Sequence, residues 1–148
     1  MILSDVDIKK RIKKGEISIT PFNPKNLTPN GYDLTIHEVM VNGETKKETT
    51  IHPLTWFAIG TYEYVNLGNH AAQLWIRSSY ARKGILSSFG KVDTGFEGTL
   101  TLSCFNTKEP IHLCHGERFC QIVFEEMSSP PERGYRGKYK GQKKITLE

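Results

Sequence analysis

The sequence predicts an all-β fold, a distorted β-barrel or jelly roll, with one short N-terminal helix. Along most of the chain, short runs of β-branched and aromatic residues are separated by Pro, Gly and Asn, which is typical of strands joined by tight turns. Residues 100–104 alternate apolar and polar side chains, as expected for a strand with one buried face. Only residues 5–14 carry a helical pattern.

The helix at residues 5–14 is predicted from its ends and its apolar face. Ser4 and Asp7 suit an N-cap and an acidic first turn, Ile8 and Ile12 share one face, and Gly15 follows the last turn. Beyond it, Asn42-Gly43 predicts a β-hairpin. The remaining β-rich runs are predicted as strands at residues 16–20, 32–41, 49–52, 56–64, 72–76, 99–105, 111–113 and 119–124.

Length and composition favour one globular unit. A chain of 148 residues with 37% hydrophobic and 24% charged residues is the size of a single domain with one core. No apolar run approaches the roughly 20 residues that a membrane-spanning helix needs, and the first residues lack a basic leader followed by an apolar stretch. We therefore expect a soluble, unexported, cytoplasmic protein without a membrane partner.

The three cysteines predict neither a disulfide framework nor a metal site. Cys104, Cys114 and Cys120 cannot all pair within the chain, and none stands in a C-x-x-C arrangement. The simplest interpretation is reduced thiols that fill strand positions.

The C-terminal residues differ in composition from the rest. The net charge is +4, and much of the excess lies after residue 132, in a segment rich in Gly and Lys. Such a tail could bind nucleic acid, meet a triphosphate or simply be solvated. We predict a β-barrel domain at residues 1–132 and an arm at residues 133–148 that is mobile until a ligand binds.

Five segments together resemble a known superfamily. They are residues 30–34 (NGYDL), 76–82 (IRSSYAR), 92–98 (VDTGFEG), 116–121 (GERFCQ) and 134–142 (GYRGKYKGQ). In this order they resemble the trimeric dUTP pyrophosphatases and dCTP deaminases, over nearly the whole chain. The resemblance implies a dUTPase-like barrel, a homotrimer with sites between subunits, an arm that covers a bound nucleotide, and no nucleic-acid partner.

The resemblance also implies roles for individual residues. Asp93 matches the base that orients and deprotonates water, and Phe96 matches an aromatic that packs under deoxyribose, although a core role is its alternative. Asp33 matches a supporting aspartate. For Arg82 the alternative is a surface salt bridge. The substrate-binding residues implied are Arg77, Ser78, Arg82, Phe89, Phe96, Gln121, Tyr135, Lys138 and Gln142.

A magnesium ion is the implied cofactor, held chiefly by the substrate triphosphate and water. The sequence proposes no protein-held metal, because its five histidines are scattered: His37, His52, His70, His112 and His115.

Ser103 decides between the two activities of the superfamily. The resemblance implies that a deaminase carries glutamate there, and a hydroxyl without a base does not replace a carboxylate. The connection at residues 83–92 has the shorter pyrophosphatase length, whereas residues 138–142 resemble the deaminase ending K-Y-x-x-Q. We therefore expect a deaminase-like scaffold with a pyrophosphatase site, similar to archaeal and archaeal-virus enzymes.

The expected enzyme is a dUTP diphosphatase, a hydrolase that forms dUMP and pyrophosphate, limits uracil in DNA and supplies dUMP for dTTP synthesis. Two alternatives stay open. One is a dCTP deaminase or bifunctional deaminase/diphosphatase whose acid comes from elsewhere, with Glu97 as the candidate. The other is a non-catalytic nucleotide-binding regulator, since a fold does not fix activity.

Overall fold

The computed structural model describes residues 1–148 and is mostly β. Its two α-helices are α1 (Asp5–Lys13) and α2 (Ser78–Arg82), with a 3₁₀ turn at Pro24–Asn26. The strands are β1 (Ser18–Thr20), β2 (Leu27–Thr28), β3 (Gly31–Val41), β4 (Glu44–Lys46), β5 (Glu48–Ile51), β6 (Thr55–Thr61), β7 (Tyr64–Asn66), β8 (His70–Ile76), β9 (Ile85–Ser87), β10 (Lys91–Val92), β11 (Glu97–Gly98), β12 (Thr101–Asn106), β13 (Ile111–Cys114) and β14 (Arg118–Glu126).

The strands form one large curled sheet and two small ones. The large sheet has the order β10-β8-β14-β3-β6-β12-β9, with β2 and β4 also paired to β3. The small sheets are β1-β7-β11 and β13-β5. All pairs are antiparallel. The expected all-β barrel or jelly roll is confirmed.

Helix α1 begins and ends as the sequence predicts. The Ser4 hydroxyl accepts a hydrogen bond from the backbone N–H of Asp7 at 3.2 Å, and Gly15 has the positive φ of +71° that a helix C-terminus favours. Ile8 is fully buried. Neither helix has the length and apolar composition needed to cross a membrane.

The predicted period of two in β12 is confirmed. Leu100, Leu102 and Cys104 are buried, whereas Thr101 and Ser103 on the other face are half-buried. Leu102 and Cys104 belong to a single cluster of 27 buried apolar residues that fills the barrel. The strand therefore packs the core with one face and offers hydroxyl groups with the other.

The hairpin at Asn42-Gly43 is also confirmed. Both residues have positive φ angles, +50° and +77°, and they join β3 to β4. The two positive angles match the turn that fits the twist of paired strands.

Helix α2, the short strands β2, β9, β10 and β11, and the break between β6 and β7 were not predicted from the sequence. Helix α2 has only five residues, too few for a periodic pattern, and it is held by Tyr80, which packs on Phe119 and donates to Glu117. The predicted strand at 56–64 is divided, because the chain turns at Tyr62 and Glu63 between β6 and β7.

The cysteines are free, as predicted. Cys104 and Cys120 are buried inside β12 and β14, and Cys114 ends β13. Burial raises the pKa of the Cys104 and Cys120 thiols, which makes them structural rather than reactive groups.

A buried carboxyl group closes the turn between β6 and β7. Glu63 is 2% exposed and accepts hydrogen bonds from the backbone N–H of Thr35 at 2.8 Å and from its hydroxyl at 2.9 Å. Burial raises the pKa of Glu63, and the bonds from Thr35 offset only part of that effect.

We predict a pH-dependent stability difference between the wild type and Glu63→Gln. Above about pH 4.3, the ordinary pKa of glutamate, the unfolded chain loses this proton while the folded chain keeps it up to a higher pH. The free energy of unfolding of the wild type should therefore fall relative to the variant as pH rises through this window.

Urea unfolding at several pH values and one protein concentration measures this difference. Glu109→Gln, at an exposed loop position, is the matched control. A wild-type minus Glu63→Gln difference that stays constant between pH 4 and pH 8 would contradict the prediction.

Candidate functional site

A cavity of about 580 Å³ lies between β8, the β9–β10 connection, the turn after β10, β12 and the C-terminal segment. Its walls are largely apolar, with aromatic rings from Trp56, Phe89, Phe96, Tyr135 and Tyr139. Among all its lining residues, Asp93 is the sole carboxylate and there is no histidine. A mainly apolar cleft with few polar groups is the usual form of a small-molecule site.

The turn at residues 93–96 fixes Asp93 at the cavity. The Phe96 N–H donates to the Asp93 carbonyl at 3.1 Å, and the Gly95 N–H donates to the Gly68 carbonyl at 2.8 Å. Gly95 has φ +79°, an angle that side-chain-bearing residues rarely adopt. The Asp93 side chain is exposed to the cavity opening and has no partner within the chain.

Phe96 serves both the core and the cavity. It is 5% exposed, belongs to the buried apolar cluster, and meets the ring of Tyr135 edge-on at 5.6 Å between centroids. Both rings line the cavity. The two interpretations of Phe96, core aromatic and pocket aromatic, therefore describe the same position.

The C-terminal segment lies against the barrel and covers one side of the cavity. The Tyr135 N–H donates to the Thr94 carbonyl at 2.7 Å, and the Gly141 N–H donates to the Glu97 carbonyl at 2.7 Å. Three hydrogen bonds join Gln142 to Thr99: the Gln142 carbonyl accepts from the Thr99 N–H and hydroxyl, and the Gln142 side-chain amide donates to the Thr99 carbonyl. The Gln142 Oε1 atom is buried without a partner, so the covered cavity holds an unused acceptor.

The far wall of the cavity carries a hydroxyl bound by an indole. Trp56 in β6 donates its Nε1–H to Ser103 Oγ in β12 at 2.8 Å, and both side chains line the cavity. The sequence reasoning identified Ser103 but missed Trp56, because nothing in the chain order relates two residues on separate strands.

A second polar cluster lies at the ends of β3, β8 and β14. The Asp33 side chain, 6% exposed, forms a salt bridge with Arg77 Nε at 3.0 Å and lies 3.7 Å from Arg118 Nη1. Burial raises the pKa of Asp33, and the two guanidinium groups oppose that shift. Arg118 was missed as a site candidate, although it lies within the recognised segment 116–121.

Gln121 belongs to the same surface. It lies opposite Asp33 in β3 and Trp75 in β8, and its side chain donates to Thr28 Oγ1 at 2.6 Å. Trp75 beside it is 58% exposed. A large exposed aromatic here lies next to an ion-pair cluster in which only the Asp33 side chain is buried.

Within one chain the predicted site residues fall into two groups. Five of them line the cavity: Phe89, Asp93, Phe96, Tyr135 and Gln142. The others do not: Asp33, Arg77, Ser78, Arg82, Gln121 and Lys138. Arg82 ends α2, is exposed and forms no salt bridge, so the surface-pair alternative finds no support. Lys138 lies over the Tyr139 ring at 5.1 Å.

No group of three or more His, Cys, Asp or Glu side chains is placed to hold a metal ion. Asp93 is the cavity's one carboxylate. A divalent cation bound here would therefore have to take most of its oxygen ligands from a bound molecule and water.

Comparison with known proteins shows which family the chain is similar to. The family model of dCTP deaminase-like proteins matches residues 2–55 and 38–127. A dCTP deaminase of Pyrococcus horikoshii is 41% identical over 155 residues, covering 99% of this chain and 96% of the relative. A protein of Sulfolobus islandicus rod-shaped virus 1 named "Probable deoxyuridine 5'-triphosphate nucleotidohydrolase" is 38% identical over 154 residues, covering 99% and 98%.

Among solved structures, the dCTP deaminase of Agrobacterium tumefaciens superposes with a TM-score of 0.70 at 18% identity. The match covers 83% of this chain and 47% of that one, so this chain spans about half its length. At this identity the likeness concerns the fold. The family is shown by the sequence matches: the chain belongs to the dCTP deaminase-like family.

The contact between Gly95 and the C-terminal segment is tight enough to test. A Cβ atom on Gly95 would lie 3.1 Å from both Gly134 Cα and Tyr135 N. The basic side chains of this segment are already exposed, but its backbone is hydrogen-bonded to the barrel. We expect Gly95→Ala to push the segment away and free its backbone, with trypsin cleavage after residue 132 several-fold faster.

Gly43→Ala is the matched control. Gly43 has nearly the same positive φ, +77°, but nothing lies within 4 Å of the position of its Cβ, so the backbone strain is similar without the collision. Limited digestion followed by mass spectrometry measures both variants. Equal cleavage rates would contradict the proposed packing of the segment.

Proposed function

We propose that this chain is a dUTP diphosphatase that hydrolyses dUTP to dUMP and pyrophosphate. The observation that carries the proposal is the carboxylate content of the cavity. Asp93 is its one acid, and Ser103 lies in the cavity wall at the position where the deaminase resemblance implies glutamate. One carboxylate suffices to activate a water for attack on phosphorus, whereas attack on the cytosine ring requires an acid beside the base.

Asp93 is the proposed general base. Its side chain has no partner within the chain and lies at the cavity opening, so it is free to accept a proton from water. The water oxygen would attack the α-phosphorus of dUTP while the bond to the bridging oxygen of the β-phosphate breaks. The products are dUMP and pyrophosphate, and the proton passes to Asp93.

Phe96 supports selection of deoxyribose. Its ring is held from one side by the core and from another by Tyr135, so it has little freedom to make room for a 2′-hydroxyl. Phe89, in the β9–β10 connection, lines the cavity on the base side in this proposal. The unused Gln142 Oε1 acceptor is available to a donor on the ligand.

The phosphate-binding residues are proposed to come from a second copy of the chain. Arg77, Ser78 and Gln121 lie outside the cavity of their own chain, and Trp75 beside them is exposed. A closed homotrimer brings such a surface to the next subunit's cavity in each of three equivalent interfaces. Arg82 and Lys138 are proposed to contact the same phosphates.

Magnesium is the proposed cofactor. When bound to the triphosphate, it would neutralise charge on the phosphate oxygens, with Asp93 as the nearby carboxylate.

Deamination of dCTP is the second candidate, and the names of relatives favour it. The P. horikoshii relative and the A. tumefaciens structure are both dCTP deaminases. Against it, the alternative acid Glu97 is outside the cavity lining and accepts a hydrogen bond from Asn66 Nδ2 at 2.9 Å. A non-catalytic nucleotide-binding regulator is the third candidate.

A substrate assay separates the three candidates. The protein is incubated with dUTP, dCTP, dTTP or UTP and magnesium, and chromatography follows each base and phosphate product. We expect pyrophosphate and dUMP from dUTP, with much slower turnover of the other nucleotides. A uracil nucleotide formed from dCTP would favour the deaminase, and tight dUTP binding without any product would favour the regulator.

Asp93→Asn should lower kcat for dUTP by about 10²–10⁴-fold, the usual contribution of a general base, with dUTP binding largely retained. Asp5→Asn, on α1 far along the chain from the cavity lining, is the matched control and should keep full activity. If Asp93→Asn hydrolyses dUTP at a rate near that of the wild type, Asp93 is not the general base.

The same variant tests whether the site is shared. Asp93→Asn and Arg77→Gln should each be nearly inactive, but equal co-expression should restore roughly a quarter of wild-type activity, because random assembly pairs two intact half-sites at about that frequency. Circular dichroism checks that each variant is folded. No recovery in the mixed protein would argue that each chain holds a complete site.

A further inference from the structure

We propose that Ser103 and Trp56 form a specificity-determining pair that selects a pyrimidine with a carbonyl oxygen at ring position 4 over one with an amino group there. The inference rests on the proposed function in one respect, that a pyrimidine deoxynucleotide enters this cavity. To the proposed function it adds the residues that distinguish uracil from cytosine.

The two strands place both side chains on the cavity face. Ser103 lies opposite Ala58 in the β12–β6 pair, and Trp56 is two residues from Ala58 along β6, so the serine and the indole are diagonal neighbours on the same face. The opposite face of β12 is occupied by Leu102 and Cys104 in the core. Ser103 therefore cannot turn away from the cavity without a change of register.

The hydrogen bond from the Trp56 indole determines whether the Ser103 hydroxyl acts as a donor or an acceptor toward a ligand. An indole N–H is a donor only, so at 2.8 Å from Ser103 Oγ it occupies one acceptor position of that oxygen. The Ser103 hydroxyl has no other hydrogen-bond partner in the chain. Its own O–H is thus left to donate, and a donor that also accepts a hydrogen bond is strengthened.

A carbonyl oxygen is the partner that this hydroxyl fits best. The 4-carbonyl of uracil accepts such a hydrogen bond, whereas the 4-amino group of cytosine brings donors toward a group whose acceptor capacity is already partly used. A site built to bond one polar edge rejects the other because buried groups are then left unpaired.

The neighbouring backbone supports placement of the base here. The Ser88 N–H donates to the Ser103 carbonyl at 3.1 Å, so the β9–β10 connection adjoins Ser103, and Ser88, Phe89 and Gly90 line the same cavity. A planar ring placed between this connection and Trp56 would meet backbone on one side and present its edge to the hydroxyl.

A nucleophilic role for Ser103 is excluded by its surroundings. The cavity contains no histidine or lysine partner hydrogen-bonded to this hydroxyl, and the group that does bond it is the Trp56 N–H. An activated serine needs a base within hydrogen-bond reach. The pair therefore selects the ligand by hydrogen bonding, and Ser103 does not act as a nucleophile.

Two variants and two measurements test the pair. Ser103→Ala removes the donor, and Trp56→Phe keeps the aromatic surface but removes the N–H. Each is assayed for kcat/KM with dUTP and dCTP, and for the Kd of α,β-imido-dUTP and α,β-imido-dCTP with magnesium. Ser87→Ala, an exposed serine in β9 outside the cavity lining, is the matched control.

We expect Ser103→Ala to reduce the preference for the uracil compounds about 10-fold, mainly through weaker binding of α,β-imido-dUTP. Trp56→Phe should reduce it about 3-fold, since the hydroxyl remains but is no longer oriented. Ser87→Ala should retain the wild-type preference. Because Trp56 is 43% exposed, its N–H can bond water in Ser103→Ala, so the variant should fold.

The outcomes separate this inference from the proposed function. The proposed role of the pair is overturned if Ser103→Ala leaves the dUTP-to-dCTP ratio of kcat/KM unchanged, or if it weakens binding of the uracil and cytosine compounds equally. Absence of dUTP hydrolysis by the wild type counts against the proposed diphosphatase, yet the imido compounds still test base selection. Equal binding of the two imido compounds by the wild type also overturns the inference.

Discussion

The turn at residues 93–96 is the constraint on which the rest of the site depends. Gly95 anchors it to the Gly68 carbonyl, and the Thr94 carbonyl accepts from Tyr135 in the C-terminal segment. One four-residue turn thus sets the position of Asp93, buries Phe96 and gives the last part of the chain a place to pack. The position of Asp93, the burial of Phe96 and the packing of the C-terminal segment thus all depend on one turn, whose backbone conformation requires the positive φ of Gly95.

The division of polar groups between two surfaces has a physical origin in the sheet. Strands β3, β8 and β14 converge where Asp33, Arg77 and Gln121 project, while the cavity lies on the other side of β8 and against β12. The cavity lining of one chain therefore lacks the guanidinium groups of the first surface. The proposed homotrimer would supply them from a second copy of the chain.

Much of the fold could be predicted from local patterns. The capped helix α1, the Asn42-Gly43 hairpin and the alternation in β12 each arise from residues close together in the chain, whose conformational preferences do not need distant partners. Helix α2 and the short strands β2, β10 and β11 escaped prediction because each depends on tertiary contacts, such as those of Tyr80 with Phe119 and Glu117. The family resemblance was confirmed by the sequence matches.

The sequence by itself determined the fold class, the family and the residue types available for chemistry, because strand periodicity, caps and motif spacing are local properties of the chain. The tertiary structure alone decided which of those residues share a cavity. It placed Asp93, Phe96 and Ser103 together, left Arg77 and Gln121 elsewhere, and joined Ser103 to Trp56 across two strands. Such neighbours are set by strand register and barrel closure, which bring together residues far apart in the chain.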